Sequence, residues 1–357
     1  MQELSSVLNK VHLSDAVYFL RALPPNSVDI IFVDPAYQIP QNASSLEGNE
    51  VWGVDRCIGG FTEEKGLREL PRYHNGIVVQ RAYQEWCLGW ASEALRVLKP
   101  GGLILSFCSV KAIHRLTCAI EEAGFEIRDQ WAYAYARGMP TGQRDLARDV
   151  ARVNTGLAKL WEGWKNMVRP AYEPICVARK PLDGKVGENA ENWGNVGGFN
   201  VGGTLDIAGR QITNILLMVD GLFEDYSKFF FNNKATKPDR DMKGLLTFAE
   251  SCPSHIKTFM RQKLNRDFFT EEEVSDLSAS KFYEHLGNEH PTVKSTMACQ
   301  EILSRVAKPG AVVLDFFCGS GSGLVAAHRL GCSYIGVDND PRSVLVSQAR
   351  LFLENNS

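Results

Sequence analysis

Apolar and polar residues alternate at both ends of the chain in the pattern of strands followed by helices. Residues 30–33 form a short β-branched run that predicts a buried parallel strand, which Asp34 and Pro35 end. Residues 83–98 repeat apolar positions at helical spacing, and Lys-Pro-Gly-Gly at 99–102 ends that helix. Further strands are predicted at 11–13, 103–107, 125–135, 311–314 and 333–337, and further helices at 111–123, 295–306, 323–330 and 341–354. This alternation predicts an α/β fold: a doubly wound, Rossmann-like, mostly parallel sheet.

The middle of the chain lacks this alternation. Residues 38–80 are rich in glycine, asparagine and charge and predict a long loop beside a strand end. Residues 183–204 predict a glycine- and asparagine-rich loop outside the core, and residues 239–286 predict charged helices. We therefore expect residues 1–135 and 288–357 to form one domain and residues 136–287 to be an insertion.

Composition narrows the class of protein only slightly. Hydrophobic residues make up 44% and charged residues 23%, as in an ordinary globular protein. No signal peptide, transit peptide or membrane-spanning apolar run is present, which predicts a cytoplasmic protein. The nine cysteines form no C-x-x-C pair, which disfavours a zinc site, and Cys108 and Cys118 are expected to be buried thiols. A net charge of −3 leaves nucleic-acid binding open, because binding depends on where the charges lie.

Three predicted strands end in an acid: Asp34, Asp315 and Asp338. The carboxyl ends of parallel strands share one edge of the sheet, where open α/β sheets bind ligands. The glycine-rich residues 316–323 follow Asp315 and open a helix, which allows close backbone approach and favours negative charge. Asp338 follows roughly 20 residues later, where an acid can bind ribose hydroxyls. This spacing indicates a site for a nucleoside cofactor.

The stretch Asp34-Pro35-Ala36-Tyr37 suits methylation of an exocyclic amine. Such an amine is conjugated with its ring and is therefore flat and weakly nucleophilic. The Asp34 carboxylate and the Pro35 carbonyl could each accept one N–H and draw the lone pair toward a methyl donor. Tyr37 could stack on a base flipped out of a duplex. Because the nitrogen becomes acidic only after it gains the methyl group, catalysis would depend on orientation and electrostatics rather than a strong base.

Other interpretations of the same residues remain open. Asp34-Pro35 is also common as a simple turn after a strand, Asp15 could cap a helix, and the glycine-rich loop could be a turn that binds no ligand. Gly321-x-Gly323-x-x-Ala326 fits a loose dinucleotide fingerprint, so a nicotinamide oxidoreductase is an alternative.

Together these motifs resemble the DNA amino-methyltransferases that use S-adenosylmethionine, in the permuted class whose catalytic motif precedes the cofactor loop. Asp34-Pro35-Ala36-Tyr37 is similar to the family's Asp-Pro-Pro-Tyr, with Ala36 in place of a proline. Residues 315–322 are similar to Asp-Pro-Phe-x-Gly-Ser-Gly-Thr, and His290-Pro291-Thr292-x-Lys294 to His-Pro-Thr-x-Lys. Residues 169–181 resemble phage and prophage members, which implies a bacterial or phage-encoded protein. The resemblance covers residues 10–37, 83–135, 168–181 and 288–350.

The resemblance implies S-adenosylmethionine as the cofactor and no metal. It assigns catalysis to Asp34, Pro35, Ala36 and Tyr37. The residues that it implies for the cofactor are Asp15, His290, Thr292, Lys294, Asp315, Phe317, Cys318, Gly319, Ser320, Gly321, Ser322 and Asp338. Among them, Asp15 would lie near the adenine, Lys294 near the methionine end, and Asp338 on the ribose, where the family generally has glutamate.

The resemblance also implies double-stranded DNA as the partner, and it makes the insertion at 136–287 a target-recognition region. The basic residues there that are candidate DNA contacts are Arg137, Arg144, Arg148, Arg152, Lys165 and Arg169. A solvated amphipathic helix with Trp161 and Trp164 in the core is the alternative interpretation of this stretch. No membrane is expected, and a homodimer and a restriction endonuclease partner are left open.

The reaction that this sequence favours is site-specific methylation of adenine N6. Asp34 opens the catalytic motif, where cytosine-N4 members more often have serine. Cytosine N4, an RNA substrate, and a nucleic-acid-binding module that keeps the fold without catalysis are the alternatives. Cytosine C5 methylation is disfavoured because its Pro-Cys motif is missing. The whole interpretation requires the glycine turn at 319–323 to open on the same side of the sheet as Tyr37.

Overall fold

The computed structural model describes residues 3–37, 72–135, 145–166, 168, 170–202, 213–218 and 293–356. Its strands are β1 (Lys10–Leu13), β2 (Val28–Val33), β3 (Leu98–Phe107), β4 (Glu126–Tyr135), β5 (Tyr172–Arg179), β6 (Ile215–Met218), β7 (Val312–Asp315) and β8 (Ser333–Asp338). Its helices are α1 (Leu4–Val7), α2 (Ala16–Ala22), α3 (Arg72–Val97), α4 (Ile113–Glu122), α5 (Leu146–Ala151), α6 (Thr155–Ala158), α7 (Val186–Trp193), α8 (Thr296–Ser304), α9 (Ser322–Arg329) and α10 (Pro341–Asn356). No helix within these residues has the length and apolar character needed to cross a membrane.

The strands form one eight-stranded sheet in the order β1-β8-β7-β2-β3-β5-β4-β6. The first five strands of this order run parallel, and β5 runs antiparallel to both of its neighbours. Strand β2 lies between β7 and β3, with Ile30 opposite both Val313 and Leu103. The two ends of the sequence therefore build one sheet, and the prediction of a mostly parallel α/β fold is confirmed.

Both faces of the sheet are covered, as a doubly wound fold requires. Ile31 and Val33 of β2 belong to a core that includes residues of α2, α3 and α4. Ile30 and Phe32, the alternate positions, belong to a second core that includes residues of α8, α9 and α10. Burial on both faces explains why this strand is apolar without interruption.

The predicted insertion at 136–287 is wrong for strands β5 and β6, which belong to the main sheet. In β5, Ile175 lies opposite Phe107 of β3 on one side and Trp131 of β4 on the other. An antiparallel strand needs no crossover helix, so it left no strand-helix alternation in the sequence. Residues 38–71 and the charged helices expected at 239–286 lie outside the described residues.

Three local expectations are also corrected. Helix α3 begins at Arg72, so the last part of the loop expected at 38–80 is helical. The stretch 183–204 contributes α7, whose Asn189 is fully buried and donates from Nδ2 to Pro100 O at 2.9 Å. Cys108 is buried as expected, but Cys118 is exposed because it lies on the outer face of α4.

Candidate active site

The three acids predicted at strand ends lie along one edge of the sheet. Asp34 directly follows β2, Asp315 ends β7 and Asp338 ends β8, and these strands are parallel neighbours. Pro35, Ala36 and Tyr37 continue from Asp34. Glu173 lies near the start of β5, and because β5 is antiparallel, this start lies at the same edge. The sheet therefore gathers four carboxylates at the carboxyl ends of its parallel strands.

Lys294 lies at the centre of the arrangement around Asp34. Its Nζ is 2.9 Å from Asp34 Oδ2 and 2.5 Å from Glu173 Oε2. The Tyr37 hydroxyl donates to Glu173 Oε2 at 3.3 Å and lies 3.4 Å from Lys294 Nζ. The ring of Phe107 lies 4.9 Å from the same ammonium group. Residues from four separate parts of the chain thus meet at one cation.

The second oxygen of Asp34 is buried, and no hydrogen-bond donor among the described residues reaches it. Leaving a buried carboxylate oxygen without a donor costs free energy, and such exceptions in native structures need an explanation. Lys294 fixes the first oxygen and so aims the second. Asp34 Oδ1 is therefore a buried acceptor that no donor among the described residues uses.

Charges at this site shift the pKa values of its neighbours. Burial alone would lower the pKa of Lys294, but the negative charges of Asp34 and Glu173 raise it above its ordinary value. Burial, together with the same two carboxylates, raises the pKa of Tyr37 well above its usual range. Lys294 is thus a permanent cation and Tyr37 a permanent neutral hydroxyl near neutral pH.

The predicted glycine-rich loop connects β7 to α9, and hydrogen bonds with the neighbouring side chains of Asp338 and Ser347 fix its backbone. Gly319 and Gly321 have positive φ angles of 49° and 77°, which glycine adopts without a steric penalty. Gly319 N donates to Asp338 Oδ2 at 2.9 Å, and buried Ser347 donates to Gly319 O at 2.7 Å. A side chain at Gly323 would come within 2.8 Å of Phe32. The backbone therefore approaches strand β2 and the acids closely because side chains are absent.

The loop is linked directly to the cluster around Lys294. Ser322 Oγ donates to Lys294 O at 2.7 Å. Arg350 donates to Ser320 O at 2.8 Å and to Thr296 Oγ1 at 2.7 Å, and so joins the loop to the start of α8. Lys294 in turn contacts Tyr37. The glycine turn and Tyr37 thus lie on the same side of the sheet, as the sequence interpretation required.

Most of the other predicted cofactor residues lie in the described part of the chain. Asp15 is exposed and caps α2, accepting from Tyr18 N at 2.9 Å, so the helix-cap interpretation is correct. Burial raises the pKa of both Asp315 and Asp338. Phe317 packs against Trp86 and Trp90 in an aromatic cluster beside the loop. His290 and Thr292 lie outside the described residues.

The basic stretch does not pack into the core. Trp161 and Trp164 are exposed by 39% and 60%, so the alternative interpretation, which placed both tryptophans in the core, is wrong. Arg148 is exposed on α5, while Lys165 pairs with Asp145 at 2.6 Å and Arg152 with Asp149 at 3.5 Å. Of the other candidate DNA contacts, Arg137, Arg144 and Arg169 lie outside the described residues.

Glu173 and Arg350 were missed as site residues from the sequence. Glu173 follows Tyr172 in a stretch with more basic than acidic residues, and no pattern in the sequence there indicates its burial to 8% exposure. Arg350 lies on the last helix without any motif around it. Only the pairing of β5 with β3 and the packing of α10 against the loop reveal these two residues.

Comparison with known proteins agrees with this geometry. A DNA methylase family model for N6 and N4 modification matches residues 28–349. Similar proteins include Type II methyltransferase M.HindIII of Haemophilus influenzae, 22% identical and covering 98% of this chain and 97% of the relative, and Type II methyltransferase M2.DpnII of Streptococcus pneumoniae, 23% identical and covering 96% and 89%. The solved PvuII cytosine-N4-specific DNA methyltransferase shares the fold, with a TM-score of 0.51 at 15% identity over 97% of this chain and 87% of that chain. Because the model match spans most of the sequence, this chain belongs to the N6/N4 DNA methylase family.

Proposed function

We propose that this protein transfers a methyl group from S-adenosylmethionine to the exocyclic amine of a base flipped out of double-stranded DNA, and that this amine is adenine N6. The observation that carries the proposal is the buried Asp34 Oδ1, which has no donor among the described residues while Lys294 fixes Oδ2. An amine N–H is the group that this oxygen would accept.

The residues around the glycine-rich loop suit the cofactor chemically. Gly319 and Gly321 adopt positive φ angles that let the backbone turn tightly here, and α9 begins without a side-chain cap, which favours the carboxylate of the methionine end. Each Asp338 oxygen accepts one backbone N–H, from Gly319 and Asp340, and keeps a lone pair for a ribose hydroxyl. The other residues that we assign to the cofactor lie in the loop, at its two ends or beside it: Lys294, Asp315, Phe317, Cys318, Ser320 and Ser322. Asp15 would lie toward the adenine.

The catalytic residues would orient the amine rather than deprotonate it first. Asp34 Oδ1 and the Pro35 carbonyl would accept its two N–H groups, and Ala36 would leave room for Tyr37 to stack on the flipped base. S-adenosylmethionine supplies an electrophilic methyl group: as nitrogen bonds to this carbon, the carbon–sulfur bond breaks, its electron pair stays on sulfur, and the nitrogen releases one proton to water. The negative charge of Asp34 stabilises the positive charge that develops on the amine.

The test of this proposal is transfer of tritium from labelled S-adenosylmethionine to DNA. Asp34→Ala should lose transfer, by more than about 100-fold, while the dissociation constant of the cofactor stays within about threefold. Asp183→Ala, which removes an exposed carboxylate outside the sheet, should behave like the wild type. A wild-type protein that binds cofactor and DNA but methylates no duplex would favour the binding-module alternative. A melting temperature raised by NAD and unchanged by S-adenosylmethionine would favour the oxidoreductase alternative.

The same assay distinguishes adenine from cytosine. Asp34 favours adenine N6, and chromatography of the digested product separates N6-methyladenine from N4-methylcytosine. Appearance of N4-methylcytosine alone would replace adenine by cytosine and leave the role of Asp34 unchanged, because both amines present the same two N–H groups.

We further propose that residues 145–166 contact the DNA. Arg148, Arg152 and Lys165 would bind phosphates, and the exposed rings of Trp161 and Trp164 would contact bases or sugars. Arg137, Arg144 and Arg169 are assigned here from the sequence alone.

Salt titration tests this assignment. Arg148→Gln should weaken DNA binding and make the slope of log affinity against log salt shallower by about 0.9. Arg329→Gln is the matched control, because Arg329 ends α9 at the opposite edge of the sheet and pairs with Glu354. Equal slopes for Arg148→Gln and the wild type would exclude a phosphate contact at Arg148.

A further inference from the structure

Glu173 is a buried acid at the proposed catalytic site to which no family motif in the sequence assigned a role. It enters from β5, the one antiparallel strand among the central strands, and its side chain is 11% exposed. It binds the ammonium of Lys294 at 2.5 Å and accepts from the Tyr37 hydroxyl at 3.3 Å. Burying a carboxylate costs free energy unless the carboxylate is paired, and Lys294 provides this pairing for Glu173.

The charges explain what Glu173 adds. Lys294 contributes one positive charge, and Asp34 and Glu173 contribute two negative charges within one small buried region. If Asp34 were the only partner of Lys294, the nearby ammonium group would neutralise the negative charge of Asp34, because the two charges lie close together in a low dielectric. A neutralised carboxylate is a weaker hydrogen-bond acceptor and stabilises less positive charge on a reacting amine. A second carboxylate shares the cation and leaves the region with a net negative charge.

We propose that Glu173 is a positioning residue for methyl transfer, which holds Lys294 so that Asp34 keeps its orientation and its strength as acceptor for the target amine. This inference rests on the proposed function, since it concerns the group that Asp34 accepts. Glu173 acts through Lys294 and does not itself touch the amine.

The proposed role of Glu173 predicts how the protonation of Lys294 depends on pH. The titratable groups that face Lys294 among the described residues are Asp34, Glu173, Tyr37 and Cys299. Burial raises the pKa of both Tyr37 and Cys299, so these two groups stay neutral and do not compete for the cation. Without the charge of Glu173, the pKa of Lys294 would fall, and its deprotonation at high pH would release Asp34 from neutralisation.

The first experiment is Glu173→Gln in the full-length protein. We expect kcat to fall by about 100-fold near neutral pH, while the cofactor dissociation constant and the KM for DNA stay within about threefold. As the pH rises, kcat of Glu173→Gln should recover in part, whereas the wild type should show no such rise. Glu126→Gln is the matched control, because Glu126 forms an ion pair with Arg179 at the other end of the same strand. It should leave kcat and its pH profile unchanged.

A second measurement does not depend on activity. In protein labelled with ¹³C-lysine, the Lys294 resonance should titrate at lower pH in Glu173→Gln than in the wild type, and not in Glu126→Gln. Glu173→Asp keeps the charge with a shorter reach, so it should fold, retain more activity than Glu173→Gln, and show the wild-type pH profile. If Glu173→Gln does not fold, the proposal stands or falls on this variant, and a profile that rises with pH would overturn it.

A double-mutant cycle shows whether Glu173 acts through Lys294. Adding Glu173→Gln to Lys294→Gln should cost little further activity, since the group through which Glu173 acts is already gone. Independent, multiplying losses would overturn the proposal, as would a loss in Glu173→Gln that does not vary with pH. An inactive wild type would refute the proposed function, whereas an active wild type with an equally active Glu173→Gln would refute this inference alone.

Discussion

Replacing Gly321 by alanine should damage both the stability of the protein and its cofactor site. Gly321 has φ of +77°, and a left-handed conformation costs an alanine about 1–2 kcal/mol. The added Cβ would lie 2.8 Å from Ser347 Oγ and 3.1 Å from its Cα, inside contact distance of backbone that cannot move easily. Overpacking of this kind costs about 1–3 kcal/mol. We therefore expect the free energy of unfolding to fall by about 2–5 kcal/mol in total.

Gly310→Ala provides the matched control for this prediction. Gly310 has φ of +82°, but no described atom lies within 4 Å of the Cβ that it would gain. It should therefore lose only the conformational part, about 1–2 kcal/mol. Urea unfolding measures both losses, and calorimetric titration with S-adenosylhomocysteine measures the cofactor site. Ligand affinity should fall by about tenfold or more for Gly321→Ala, because Ser347 supports the Gly319 carbonyl, and should not change for Gly310→Ala. Equal stability losses in the two variants would refute the packing argument at the loop.

Three further predictions concern other parts of the molecule. Lys294→Met should lower the free energy of unfolding by about 3–5 kcal/mol near neutral pH. Because the folded pKa of Lys294 is raised, its contribution to stability is complete below the unfolded pKa of 10.5 and is lost as the pH rises from there through the folded pKa. In urea titrations, the difference from the wild type should therefore begin to shrink once the pH exceeds 10.5, and a constant difference there would contradict this. Cys118 should react with a maleimide in the native protein before Cys108 and Cys176, whose pKa values burial raises to about 12 and about 11, as peptide mapping by mass spectrometry would show. Trp164→Ala should change stability by less than about 0.5 kcal/mol but weaken DNA binding roughly tenfold in fluorescence anisotropy, and unchanged binding would remove Trp164 from the interface.

The sequence was informative where local chemistry and burial coincide. The apolar residues of β2 are buried on both faces, and the strand ends before Asp34-Pro35 because proline has no N–H to donate to a neighbouring strand. The glycine-rich loop after Asp315 likewise carries its own backbone requirements. These features predicted that Asp34, Asp315 and Asp338 meet at one edge of the sheet, and that the two ends of the chain build a single sheet.

The sequence was less informative where a contact depends on distant pairing. Strand β5 lies between β3 and β4 in the sheet, although it follows both in the chain, and no local sequence pattern predicts this position. In the sequence, Glu173 is therefore one acid among many basic residues, and its pairing with Lys294 depends on the position of β5 in the sheet. The loop predicted at 183–204 was wrong at Asn189 for a similar reason. An asparagine-rich stretch indicates a loop, but the side chain of Asn189 is buried and donates hydrogen bonds to the backbone carbonyls of Pro100 and Asn195.

The placement of β2 between β7 and β3 has a consequence for how the protein matures on the ribosome. Strand β2 is synthesised about 280 residues before one of its two neighbours, because β2 ends at Val33 and β7 begins at Val312. At translation rates of about 5–20 residues per second, β7 becomes available to pair with β2 only on the order of tens of seconds after β2 is made. A chain terminated before β7 would therefore keep one edge of β2 unpaired, and an unpaired strand edge promotes aggregation.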